Sequence, residues 1–312
     1  MKRRVQAERS HLSEATWQRT AIAAVLALGG FLRLWNLASS DFNFDQAALA
    51  NLAARFVATG TPPAQGMISS VGITNPPLAV YLVSLPVLFG RDPLIATGFV
   101  AVMNVLGVWG CYRLAKRYWG AWPGVTAALL LAASPWAVYY SRKVWAQDLL
   151  LPGVILFVAL VLRWLVDHRR WALAAAILTL AALVQIHFAA VSLAPMLGVL
   201  LAIAAVRRLR GRTALPLWQP LGVGTAAGML LYVPYVLATV RSGRTALQAL
   251  LNGSSQVRGF HWDTINLALL NIGGREIHAL AGPQQYQRFL AGIVNLGYWP
   301  DRVEEALVVI SV

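Results

Sequence analysis

Seven stretches of this chain, at about 20–38, 93–112, 122–140, 148–166, 171–188, 189–206 and 216–240, are apolar, nearly free of charge and close to twenty residues long. A helix rises ~1.5 Å per residue, so each stretch approaches the ~20 residues that cross ~30 Å of hydrocarbon. Inside a bilayer the backbone has no water to bond, and helices satisfy it internally. The chain is therefore read as an all-α polytopic membrane protein. Its composition agrees: 58% of residues are hydrophobic and 12% charged, against about 45–50% and about 25% in soluble domains. Cys111 is the single cysteine, so no internal disulfide forms.

The net charge of +14 would point to nucleic acid in a soluble protein, but its distribution points elsewhere. Basic clusters lie at Lys2/Arg3/Arg4/Arg9/Arg19, Arg113/Lys116/Arg117, Arg163/Arg169/Arg170 and Arg207/Arg208/Arg210/Arg212. The positive-inside rule puts all four on the cytoplasmic face. An even number of crossings must then separate the N-terminus from Arg113, yet a third apolar run, 76–90, lies between the spans at 20–38 and 93–112. Pro76 to Phe89 would cover only ~21 Å as a helix and contains Pro86, so it is expected to lie on the outer face. The result is a cytoplasmic tail at 1–19, seven crossings over 20–240 with a first outer loop at 39–92, and a second outer segment at 241–302. The residues from 303 onward begin a further span, so the chain is expected to continue. Fifteen basic and three acidic residues fall inside, ten basic and nine acidic outside, with Arg33 within the first span. Nearly all of the positive balance is topological, and no nucleic-acid partner is expected. Nine of the twelve carboxylates face outward.

The first outer loop is the most informative segment. Asn43-Phe44-Asp45-Gln46 reads as a helix start, with Asn43 as N-cap and Gln46 as the return partner of a capping box. Phe44, Ala48, Leu52 and Phe56, with Leu49, Ala53 and Val57 on the adjoining row, form an amphipathic stripe. Gly60 and Thr61-Pro62-Pro63 end it, and Pro76-Pro77 open a second helix. Two interfacial helices in tandem are expected, with Asp45 in the first turn of the first. On spacing alone Asp45 either complements the helix dipole or is a reactive carboxylate.

Phe31-Leu32-Arg33-Leu34-Trp35-Asn36-Leu37, then Phe44-Asp45-Gln46 and an Ala-rich helix, then Asn75-Pro76-Pro77-Leu78, Arg113-Leu114-Ala115-Lys116, Ser134-Pro135, Tyr140-Ser141-Arg142 and Asp148 follow one another over about half the chain. In order and spacing they resemble the polyprenyl-phosphate-dependent glycosyltransferases of the GT-C fold: the protein O-mannosyltransferases, the lipid A aminoarabinose transferase and the bacterial RgtA/B/C/D-like group. The resemblance implies a catalytic acid at Asp45 framed by two juxtamembrane helices. It also implies a polyprenyl-phosphate sugar donor, inversion at the anomeric carbon, and a glycan, lipid or protein acceptor. Two departures stand out. Many members have Asp-Glu where this chain has Asp45-Gln46, and the aminoarabinose transferase has a lysine near the Pro-Pro helix where this chain offers Asn75.

Such a reaction needs a base for the acceptor hydroxyl, which typically contributes ~10²–10⁴-fold, and cations for the departing phosphate. Asp45 is the candidate base. Arg142, Lys143, Arg55 and Arg91 are the candidate phosphate ligands, and headgroup anchoring is the alternative for each. Asp148 either orients an arginine or the sugar, or forms an ordinary ion pair with Arg142. Arg33, an intramembrane charge, is expected behind the first loop. Gln46 and Asn75 belong to the same surroundings, and His187 either contacts substrate or is structural. The scattered histidines have no metal-ligand spacing, and no cofactor is required. The rival reading is a transporter or flippase of lipid-linked sugars, whose internal repeats and broken helices near mid-depth are not evident in this sequence.

Overall fold

The computed structural model describes residues 2–40, 42–69, 73–211 and 217–241, with side chains from residue 16 onward. These residues belong to the first of two compact units, Met1–Gly253. The second unit, Ser254–Val312, and with it most of the expected outer segment and the start of a further span, lies outside them.

The described chain is helical, and the only β-pairing in it is an isolated antiparallel bridge between Ile68 and Thr74. Its helices are α1 (Lys2–Leu34), α2 (Phe44–Thr59), α3 (Leu78–Val87), α4 (Pro93–Trp119), α5 (Ala121–Ala133), α6 (Pro135–Tyr140), α7 (Leu150–Leu165), α8 (Arg170–Ile186), α9 (Leu193–Leu209) and α10 (Trp218–Arg241). Short 3-10 turns at Leu37–Ser39, Ala146–Leu149 and Phe188–Ser192 follow α1 or precede α7 and α9. Helix α4 packs on α5, α1 and α7, α8 lies between α7 and α10, and α2 pairs with α3. One apolar core joins Leu49 and Ala53 of α2 to Val80 and Val83 of α3, Val100 of α4, Phe157 and Trp164 of α7, and Leu173 and Leu183 of α8. A second, around Val25, Val108, Tyr112 and Ala128, joins α1, α4 and α5.

Among the described residues four helical segments are long and apolar enough to cross a membrane: Pro93–Trp119, Ala146–Leu165, Phe188–Leu209 and Trp218–Arg241. Leu78–Val87, Ala121–Ala133 and Arg170–Ile186 are shorter apolar helices. The 10-residue α3 is thus too short to span, as its length and Pro86 predict. The run at 122–140 is not one helix. Ser134 leaves helical geometry and caps α6 through its hydroxyl, and Pro135, at the first position of α6, has no N–H to continue α5. Outward faces of α9 and α10 carry Val199, Ile203, Met229 and Leu230 in the open, the residues lipid would cover.

The segment between α1 and α4 begins its first helix as its sequence dictates. Asn43 Oδ1 accepts from the N–H groups of Asp45 (3.2 Å) and Gln46 (3.4 Å). Helix α2 ends at Gly60 with φ 67°, the left-handed conformation glycine adopts without penalty. The return half of the capping box does not form. Gln46 is 1% exposed and turned into the core with Leu49 and Ala53, one α-helical row, and its Oε1 has no partner. Phe44, expected on the apolar stripe, is 85% exposed instead.

Candidate active site

Asp45 stands at the start of α2 on the wall of a cleft of about 410 Å³. The opposite walls come from the 66–69 segment, from Asn75 and Pro76 ahead of α3, from Trp145–Gln147, and from Ile186–Phe188. The 66–69 segment is folded back on 73–75. Gly66 N–H donates to Asn75 O (2.7 Å), Asn75 N–H to Met67 O (2.7 Å) and Ser69 N–H to Ile73 O (2.7 Å). Gly66 permits this approach, since a Cβ there would lie 2.6 Å from Pro76 O. Gln65 Nε2 donates to Thr239 Oγ1 (3.2 Å) and Tyr235 OH to Thr74 O (2.6 Å), which ties this wall to α10.

Asp45 is exposed and Asn75 is buried. The Asn75 Nδ2 donates to Met67 O at 3.2 Å, while its Oδ1 is buried without a partner. His187 caps the 3-10 turn before α9: its Nδ1 accepts from Ala189 N–H at 3.1 Å. Because Nδ1 accepts, the ring hydrogen sits on Nε2. The cleft thus brings together Asp45, Asn75 and His187 from segments more than 140 residues apart.

Arg142 and Lys143 line a different groove of about 470 Å³, with Leu32, Ser39, Ser40 and Tyr139. Arg142 donates to Leu32 O (3.2 Å), Asn36 O (2.8 Å), Ser39 Oγ (3.3 Å) and Ser40 Oγ (3.5 Å). It therefore holds the C-terminal end of α1, where carbonyls lack helical partners and Asn36 turns left-handed at φ 48°. Lys143 is buried, with Nζ bonded to the Tyr139 hydroxyl and 3.9 Å from that ring's centre.

Asp148 lies on a third cavity, about 430 Å³, with Asn104, Trp136, Tyr140, Trp145 and Gln147. It makes no ion pair with Arg142; the ion pair among the described residues is Arg117–Asp167, at 2.7 Å. Asn104 Nδ2 donates both to Val100 O and to Asp148 O, each at 2.9 Å. Trp145 and Gln147 line both this cavity and the Asp45 cleft.

Arg33 is fully buried but does not back the first loop. Its guanidinium donates to Ala132 O (2.8 Å), Leu131 O (3.0 Å) and Gly29 O (3.2 Å), closing the end of α5. Arg55 and Arg91 are exposed and line none of these three cavities. Trp136, Gln147 and Asn104 had no motif to mark them, although Trp136 follows Ser134-Pro135 and Gln147 precedes Asp148.

The described residues form a helical membrane protein with a polar cleft walled by the start of α2 and the segment ahead of α3, and its family is one of membrane glycosyltransferases of the GT-C type. The sequence pattern of the family described as "Dolichyl-phosphate-mannose-protein mannosyltransferase" matches residues 74–237, and the chain belongs to that family. The match spans Asn75, Arg142, Lys143, Asp148 and His187 and begins after Asp45. Membership implies a lipid-linked sugar donor. No curated protein and no solved structure matches the chain.

Proposed function

We propose that this protein transfers a sugar from a polyprenyl-phosphate donor to an acceptor hydroxyl of a glycan, lipid or protein. Asp45 is the general base, and transfer takes place on the outer face of the cytoplasmic membrane. The observation that carries this reading is the cleft that joins Asp45 to Asn75 and His187 in a chain of this family. As the acceptor oxygen bonds the anomeric carbon, its proton passes to the Asp45 carboxylate. The bond from that carbon to the phosphate oxygen breaks from the opposite side, and the electron pair leaves with the polyprenyl phosphate. One displacement inverts the centre. The reaction as written requires no metal.

The phosphate is assigned to the groove of Arg142 and Lys143. Lys143 precedes Trp145 of the Asp45 cleft by two residues, a Cα separation of at most ~7 Å. Lys143 in this setting supplies charge where the leaving group develops it, while Arg142 fixes the α1 end on which the groove is built. Asn75 Oδ1 is an unused acceptor for a sugar hydroxyl, and the neutral His187 offers Nε2–H. Arg55 and Arg91, exposed on the outer loop, attract the anionic lipid.

Membranes containing the full chain, given a panel of polyprenyl-phosphate sugars with mannose first, test this by mass spectrometry of products and NMR of the new glycosidic bond. A glycosylated product with inverted configuration is expected. No product from any donor, or retention of configuration, overturns the proposal.

A further inference from the structure

Six buried side-chain atoms lack a hydrogen-bond partner among the described residues, and three of them, Trp136 Nε1, Gln147 Oε1 and Asp148 Oδ2, belong to residues lining the same 430 Å³ cavity. Buried polar atoms are nearly always satisfied, by protein or by something bound. An amide oxygen only accepts, an indole N–H only donates, and a carboxyl group accepts when ionised and donates when protonated, so the missing occupant presents at least one donor and one acceptor and a further group that can do either, as a hydroxyl can. Trp136 and Tyr140 stack with centroids 5.2 Å apart and 14° between planes, an extended aromatic surface at this wall. Asp148 is 6% exposed and its backbone is fixed at both ends, by Asn104 Nδ2 on its carbonyl (2.9 Å) and by its own N–H on Trp145 O (3.1 Å). The volume falls in the ~300–1,000 Å³ range of small-molecule pockets.

We propose that the cavity bounded by Trp136, Tyr140, Gln147 and Asp148 binds a neutral pyranose ring, one hydroxyl donating to Gln147 Oε1, an adjacent hydroxyl hydrogen-bonded to Asp148 Oδ2, and a ring or glycosidic oxygen accepting from Trp136. This deepens the transferase reading on which it rests: the ring belongs to the lipid-linked donor or to a glycan acceptor. Through Trp145 and Gln147 the cavity shares a wall with the Asp45 cleft.

The test uses the full chain in detergent, methyl α-D-mannopyranoside and methyl α-D-glucopyranoside as probes, and saturation-transfer NMR with calorimetric titration. Trp136→Phe removes the N–H and keeps the ring, and Gln147→Leu removes the amide. Each is expected to weaken glycoside binding at least tenfold, while Asp45→Asn leaves it unchanged. If the ring is the donor's, the same variants also raise the KM for the polyprenyl-phosphate sugar; if it is the acceptor's, that KM stays at the parent value. A methyl glucosaminide that binds more tightly than the neutral glycosides overturns the proposal. So do variants that change neither glycoside affinity nor donor KM, or binding lost in Asp45→Asn and kept in Trp136→Phe. Glycoside binding without turnover in the parent would sink the transferase reading and leave this one standing, and turnover with no sugar bound at this cavity would do the reverse.

Discussion

Leu131 would ordinarily pass its carbonyl to the N–H four residues on, but that residue is Pro135 and has none. Arg33 supplies the missing donors: Nη2 to Leu131 O at 3.0 Å and Nη1 to Ala132 O at 2.8 Å. Arg33→Met keeps an unbranched apolar stem in place of the arginine's and removes both bonds. Bonds from a charged donor contribute ~1.5–3 kcal/mol each, which bounds the loss at ~3–6 kcal/mol. Against it stands the relief of no longer burying a guanidinium whose Nε has no partner. Measured hydrogen bonds between membrane helices average ~0.6 kcal/mol and reach ~1.7. The net loss is therefore placed at ~1–3 kcal/mol, and at ~2–4 °C per kcal/mol for a protein of this size the unfolding midpoint should fall by ~2–12 °C. Cys111, the only cysteine and half-buried in α4, reports this directly through a thiol-reactive fluorophore during a thermal ramp in detergent. Arg33→Lys, with one compact donor group for two carbonyls, should fall between parent and Arg33→Met. An Arg33→Met midpoint equal to the parent's refutes the view that this charge holds α5 to α1.

Two further outcomes follow from the outer loop. Gly66→Ala drives a Cβ to within 2.6 Å of Pro76 O and 3.2 Å of Asn75 O, both backbone, so the cleft wall must move; a shift of ~1 Å is enough for a ~10²-fold loss of turnover, with a stability loss of ~1–3 kcal/mol, and parent-level kcat/KM would contradict it. Arg91→Cys in a Cys111→Ser background should react with a membrane-impermeant maleimide on intact cells, whereas reaction only after permeabilisation would overturn the even-crossing topology.

The parts of this molecule legible in the sequence are those whose cause is local. Asn43 as cap, Gly60 as terminator, and Pro76-Pro77 before a helix too short to span all act within a few residues, and all appear. Gln46 shows where local logic stops. A residue at that position returns to its cap in isolation, but Leu49 and Ala53 commit the same face of α2 to the core and carry Gln46 inward with them. Arg33 read as a functional charge near the outer loop because the sequence does not show that α5 ends beside it, 98 and 99 residues away. The Asp148 cavity was equally hidden: Trp136, Gln147 and Asn104 are ordinary residues until α4, α6 and the 146–149 turn meet. Asp148 was read as an outer-face carboxylate with alternative roles, and the one that pairs it with Arg142 does not form, because Arg142 is engaged at the end of α1.

The central claim is that a carboxylate at the start of a surface helix takes the acceptor's proton. Asp45→Asn is nearly isosteric, and asparagine keeps a good helix-start residue at an exposed position, so fold and thermal midpoint should stay at parent values. With the donor that gives product in the parent, its turnover should fall by ~10²–10⁴-fold. Turnover within a few fold of the parent, in protein with the parent's midpoint, would contradict the account.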